Sequence, residues 1–94
     1  MDTNFEHYKV FYYVSKYENL TKAAAVLKTS QPAVTRTIHN LENILGCRLF
    51  IRSKSGMKLT PEGNIFYEYI AAGCAQFFKG ENNLSNLISL ENGT

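Results

Sequence analysis

Apolar side chains recur along this 94-residue chain at three- and four-residue intervals in four separate stretches, the spacing of one face of an α-helix. The first stretch predicts a helix over Phe5–Tyr17. There Phe5, Tyr8, Phe11, Tyr12 and Ser15 share a face that Val10, Val14 and Tyr17 widen. Core packing is the simplest use of so many aromatic rings, since base-stacking platforms usually serve single strands. Glu18-Asn19 ends this helix, and Thr21 is expected to cap a short second one reaching about Lys28. Ala23, Ala24 and Ala25 lie inside it; they favour helix and let a following helix cross closely above them. Lys28-Thr29-Ser30 makes a polar turn, and Ser30 caps a third helix over Gln31–Leu45, fifteen residues or about 22 Å. Its buried stripe is Val34, Ile38, Leu41 and Leu45. Pro32 is harmless in the first turn, where amides lack intrahelical partners, and Gly46 supplies a left-handed stop.

The period then changes. Leu49-Phe50-Ile51 and Met57-Lys58-Leu59 read as two short strands, with Ser53-Lys54-Ser55-Gly56 as the hairpin loop and Gly56 free to take positive φ. Thr60-Pro61-Glu62 (a cap, a first-turn proline and a carboxylate at the positive end of the helix dipole) opens a last helix from Pro61 to about Leu90. Its stripe is Phe66, Ile70, Gly73, Phe77, Gly80, Leu84 and Leu87. A domain this small has no need of so long an apolar helix, so a partner helix is expected to cover it. Gly73 and Gly80 either weaken the helix or let that partner approach closely. The helix would bend or end most easily near Gly80.

The architecture expected is therefore mainly α: three helices and a two-stranded wing over residues 1–60, then a long linker or dimerisation helix over 61–94. Residues 20–39 form a helix-turn-helix and 49–59 the wing. No apolar run approaches the ~20 residues that cross a bilayer, and Met1–His7 is unlike a signal peptide. Cys47 and Cys74, with no second cysteine near either, read as small hydrophobic residues in a reducing compartment, with no disulfide framework and no metal site.

Charge sharpens the picture. Between Lys22 and Lys58 lie seven cations and one anion, Glu42, a net +6, against −4 for the rest of the chain. That polarity lets one side meet a polyanion. The cations are spread over the helix-turn-helix and hairpin, not along one amphipathic helix, so duplex DNA is favoured over a membrane surface. The amino end of the third helix carries Gln31, Pro32, Thr35 and Arg36 away from the buried stripe. Glutamine can hold adenine and arginine guanine bidentately. Thr35 offers a methyl to thymine or a hydroxyl to phosphate, and Pro32 an apolar surface near the groove floor. Arg36 reads a base or grips a phosphate. His39, one turn beyond Thr35, lies near the phosphates or stands idle. Arg52 and Lys54 sit at the wing, while Thr21 and Ser30 can add phosphate contacts to their capping duty. Arg48 is expected to pair with Glu42 or Glu62.

The run LTKAAAVLKTSQPAVTRTIHNLENILG, followed by LFIR and then KLTPEG, resembles the amino-terminal DNA-binding region of LysR-type bacterial transcriptional regulators over Phe5 to about Leu90. The resemblance implies a winged helix-turn-helix and a linker helix pairing antiparallel with that of a second subunit. Gln31 and Arg36 match family positions that reach the major groove, and the arginine of LFIR, Arg52, one set against the minor groove or its phosphates. It also implies a cytoplasmic, nucleoid-associated regulator that binds a two-fold operator as a homodimer, or a tetramer when full-length. The family's effector-binding domain is expected to be absent here, and with it any small-molecule effector; no cofactor is expected. Glu18 departs from the frequent glycine before the second helix, His39-Asn40 from basic residues, and Gly73 and Gly80 from the usual linker. The competing reading is a winged-helix interaction module that no longer reads DNA. No GxSxG, phosphate loop or metal constellation supports an enzyme.

Overall fold

The computed structural model describes residues Thr3 to Glu91. Its elements follow in the order α1 (Phe5–Tyr17), α2 (Leu20–Leu27), α3 (Gln31–Leu45), β1 (Phe50–Ser53), β2 (Gly56–Leu59) and α4 (Pro61–Glu91). Each helix starts where a side chain satisfies an orphan amide. Asn4 and His7 form a reciprocal capping box on α1, each bond 3.1 Å. Ser30 accepts from the Ala33 amide at 3.2 Å to open α3, and Gly46 (φ 77°) closes it. Thr60 accepts from the Gly63 amide at 2.9 Å at the start of α4.

One expected cap is corrected. Asn19, not Thr21, caps α2: its Oδ1 accepts from the Lys22 amide at 2.9 Å. Leu20 already has helical geometry because it is buried against α1, so the boundary moves two residues back and Thr21 falls inside the first turn.

The strands are shifted as well. Pairing runs from Phe50 with Leu59 to Ser53 with Gly56, leaving Lys54-Ser55 as a two-residue turn. Leu49 precedes the ladder because its polar groups are committed elsewhere: its amide donates to Glu42 Oε2 at 2.7 Å, and its carbonyl accepts from the Thr60 amide at 3.0 Å. Gly63 explains the tight entry of α4, since a Cβ there would lie 2.2 Å from the Leu49 carbonyl oxygen.

The core lies where α1, α2, α3 and the root of the wing converge. Phe11, fully buried, packs 5.4 Å from Phe50 and 5.2 Å from Phe66, and Val14, Ala23, Val34, Ile38 and Leu41 complete the layer. Of the aromatic face of α1, Phe11 is core and Tyr8 packs against it, Tyr12 stacks on Tyr67, and Phe5 stays exposed. α4 is unbroken through Gly80, and its 31 residues, about 46 Å, set the 50 Å long axis of the molecule.

Candidate nucleic-acid interface

Burying Val34, Ile38 and Leu41 against α1 and α2 leaves the opposite side of α3 outside. Gln31, Pro32, Arg36 and His39 are exposed and Thr35 half-buried, and together they line one shallow open concavity. A second concavity, lined in part by Asn19, Thr21, Gln31, Arg52, Ser53 and Lys54, joins the first at Gln31. The fold therefore brings the start of α2, the start of α3 and the wing onto one surface. Arg52 shares a strand face with Met57, its ladder partner, and both line the hollow between the wing and Thr35 and His39.

Donors are available along this surface. The main-chain amides of Leu20, Thr21 and Gln31 have no acceptor among the described residues, as first-turn amides do not, and they suit an anion. Ser30 uses its oxygen as a cap and keeps its proton to donate. Thr37 points elsewhere, donating to the Ala33 carbonyl at 3.0 Å.

The cations divide into committed and free. Lys58 pairs with Glu18 at 2.6 Å, and the exposed Arg48 approaches Glu42 at 3.7 Å, one of the two partners expected for it. Lys22, Lys28, Arg36, Arg52 and Lys54 have no ion-pair partner among the described residues. Of these, Arg36, Arg52 and Lys54 line the joint surface, and uncommitted cations there can neutralise phosphates.

Two residues of this region carry duties that sequence reasoning missed. Glu42 is buried at 7% exposure and accepts the amides of Leu49 (2.7 Å) and Phe50 (3.3 Å), so it ties α3 to the wing. Its spacing, four residues after Ile38 and eight after Val34, puts it beside the buried stripe, but nothing local marks Leu49 and Phe50 as its partners. Asn19 was legible as an asparagine just before an apolar-periodic run.

The dimer stripe is divided. Phe66 packs against Phe11 and Tyr8 and Ile70 against the core, so α1 of the same chain covers the start of the stripe, whereas Phe77, edge-on to Phe5 at 5.3 Å, stays 54% exposed. α1 can do so because its aromatic face is wider than one core layer requires. Leu84 and Leu87 remain exposed, as do Tyr69, Ile88 and Leu90. A Cβ at Gly73 or Gly80 would meet nothing within 4 Å in the chain. Among the described residues no helix is long and apolar enough to cross a membrane, and no group of three His, Cys, Asp or Glu could hold a metal ion.

Residues 5–64 match the family model of the bacterial regulatory helix-turn-helix protein, lysR family. The transcriptional regulator PcaQ of Agrobacterium fabrum is 37% identical over 68 residues, 72% of this chain and 22% of PcaQ. BbuR of Bordetella bronchiseptica is 36% identical over 85 residues, 90% of this chain and 26% of its own length. The chain thus spans about a quarter of the length of the curated relatives it matches. Among solved structures, the BenM DNA-binding domain in complex with catB site 1 DNA has a TM-score of 0.79 at 32% identity, covering 93% of this chain and 98% of that one. The CbnR DNA-binding domain–DNA complex has a TM-score of 0.74 at 30% identity, covering 90% and 98%.

Proposed function

The chain belongs to the lysR family of bacterial regulatory helix-turn-helix proteins, and from that premise we propose that it is a sequence-specific DNA-binding module of a cytoplasmic transcriptional regulator. Residues 1–60 read the duplex and 61–94 link two subunits. The observation that carries the reading is the joint surface: the first turns of α3 lie open beside the free wing cations Arg52 and Lys54. BenM and CbnR domains of the same fold were solved on DNA, which supports it further.

In this reading the amino end of α3 enters the major groove. Gln31 and Arg36 address base edges, while Pro32 and Thr35 contact thymine methyls or the groove wall. Thr21, Ser30 and the free amides beside them hold phosphates, and Arg52 and Lys54 flank the site at the wing, where a narrow minor groove attracts cations. His39, exposed one turn beyond Thr35, borders the phosphates. The exposed Leu84 and Leu87 of α4 pack against a second copy, so that two α3 helices meet two half-sites of a two-fold operator. No metal or organic cofactor takes part in the reading itself.

Selection of bound duplexes from a random pool tests this directly and returns half-site, spacing and symmetry together. Arg36→Ala should lose discrimination at one base pair per half-site, about 5- to 150-fold, since a bidentate base contact is worth about 1–3 kcal/mol. Lys54→Ala should weaken all sequences alike and flatten the salt dependence. Equal losses on selected and random duplex from Arg36→Ala would remove it from base reading. Retention of DNA that ignores salt would favour a protein-interaction module instead.

A further inference from the structure

The turn between α1 and α2 touches the wing through its backbone and through a charge. Glu18 adopts a left-handed conformation (φ 52°), which side chains other than glycine rarely take. Its carbonyl oxygen accepts from the Met57 amide at 3.0 Å and so covers the free edge of β2. The approach is close: a Cβ at Gly56 would lie 2.2 Å from that same oxygen. The turn thereby delivers the Glu18 carboxylate beside β2, where Oε2 accepts from Lys58 Nζ at 2.6 Å. Both side chains are half exposed, so the pair is open to water and ions and exchanges partners readily. Asn19 and Met57, the sequence neighbours of Glu18 and Lys58, line the concavity shared with Lys54, so the pair adjoins the cationic surface without lining it.

We propose that Glu18 sets the DNA affinity of this module: its carboxylate occupies Lys58 as a phosphate would, and so withholds one of the wing's three cations from the duplex. The inference rests on the DNA-binding reading above. In the intact chain, Lys58 can move to a phosphate only by releasing Glu18, and the carboxylate then stands bare near the polyanion. The gain and the loss nearly cancel, so Lys58 contributes little to binding. Without the carboxylate it contributes in full. Glu18→Gln isolates this effect because the backbone contacts to Met57 and Gly56 are untouched.

The test is fluorescence-anisotropy titration of a labelled mixed-sequence duplex, long enough for two half-sites, across a salt series. Glu18→Gln should bind on the order of three- to tenfold tighter at low salt, with the slope of log K against log salt steeper by about 0.9 per protomer. Lys58→Gln alone should bind nearly as the parent does, and the Glu18→Gln/Lys58→Gln double variant should fall back to the parent affinity. Binding by Glu18→Gln no tighter than the parent overturns the proposal. So does a gain kept in full by the double variant, because the effect would then be long-range repulsion and not occupancy of Lys58. A parent chain that retains no duplex at low salt would instead defeat the DNA-binding reading itself.

Discussion

Replacing Glu42 by alanine is the sharpest test of how the wing is held to the recognition helix. The Glu42 carboxylate accepts two amides from residues that are almost wholly buried, Leu49 at 1% and Phe50 at 2% exposure. The carboxylate borders an open hollow, so water entering in its place recovers only part of what these amides lose in the variant. The 2.7 Å bond to Leu49 is short and charge-assisted, worth about 1.5–3 kcal/mol. The 3.3 Å bond to Phe50 is long, worth about 0.5–1 kcal/mol. The contact with Arg48 adds little, since Arg48 is 76% exposed. Glu42→Ala should therefore cost about 2–4 kcal/mol, a large share of the 5–15 kcal/mol that holds a domain of this size. At about 4–8 °C per kcal/mol, the melting temperature falls by on the order of 8–32 °C. Glu42→Gln keeps the shape and one acceptor oxygen, and should cost about 1 kcal/mol. Thermal melts followed by circular dichroism, at one fixed protein concentration, read both shifts. An alanine variant melting within about 3 °C of the parent would show that these bonds do not tie α3 to the wing.

Other consequences follow from packing, assembly and thiol chemistry. Gly63→Ala places a Cβ against backbone atoms of Leu49 that cannot yield without moving β1, so a loss of about 1–3 kcal/mol is expected in denaturant melts despite the better helix propensity of alanine. Leu87→Asp alters only an exposed side chain, and should leave the monomer fold intact while sedimentation shows loss of self-association; an unchanged dimer would move the interface elsewhere. Burial pushes the Cys74 thiol above its ordinary pKa, so at a given pH less of it is thiolate. Iodoacetamide should accordingly label the half-buried Cys47 first and reach Cys74 only slowly in the native protein. Equal labelling rates would contradict that burial.

Local physics made most of the scaffold readable in advance. α1 and α3 have the bounds that their apolar period assigns, and α3 opens and closes at Ser30 and Gly46, because a cap needs only a hydroxyl and a glycine placed a few residues from the amides and carbonyls they serve. The apolar stripe of α3 also determines which of its residues face out, since one face of a helix cannot be buried without presenting the other. Contacts between distant residues carry no such periodic mark, and tertiary structure alone decided them. The buried acceptor role of Glu42, the hold of Glu18 on β2 and Lys58, and the packing of Phe66 and Ile70 against the core each depend on residues more than six positions away. Asn19 outcompeted Thr21 as a cap for a similar reason: burial of Leu20 against α1 fixed where the second helix could begin.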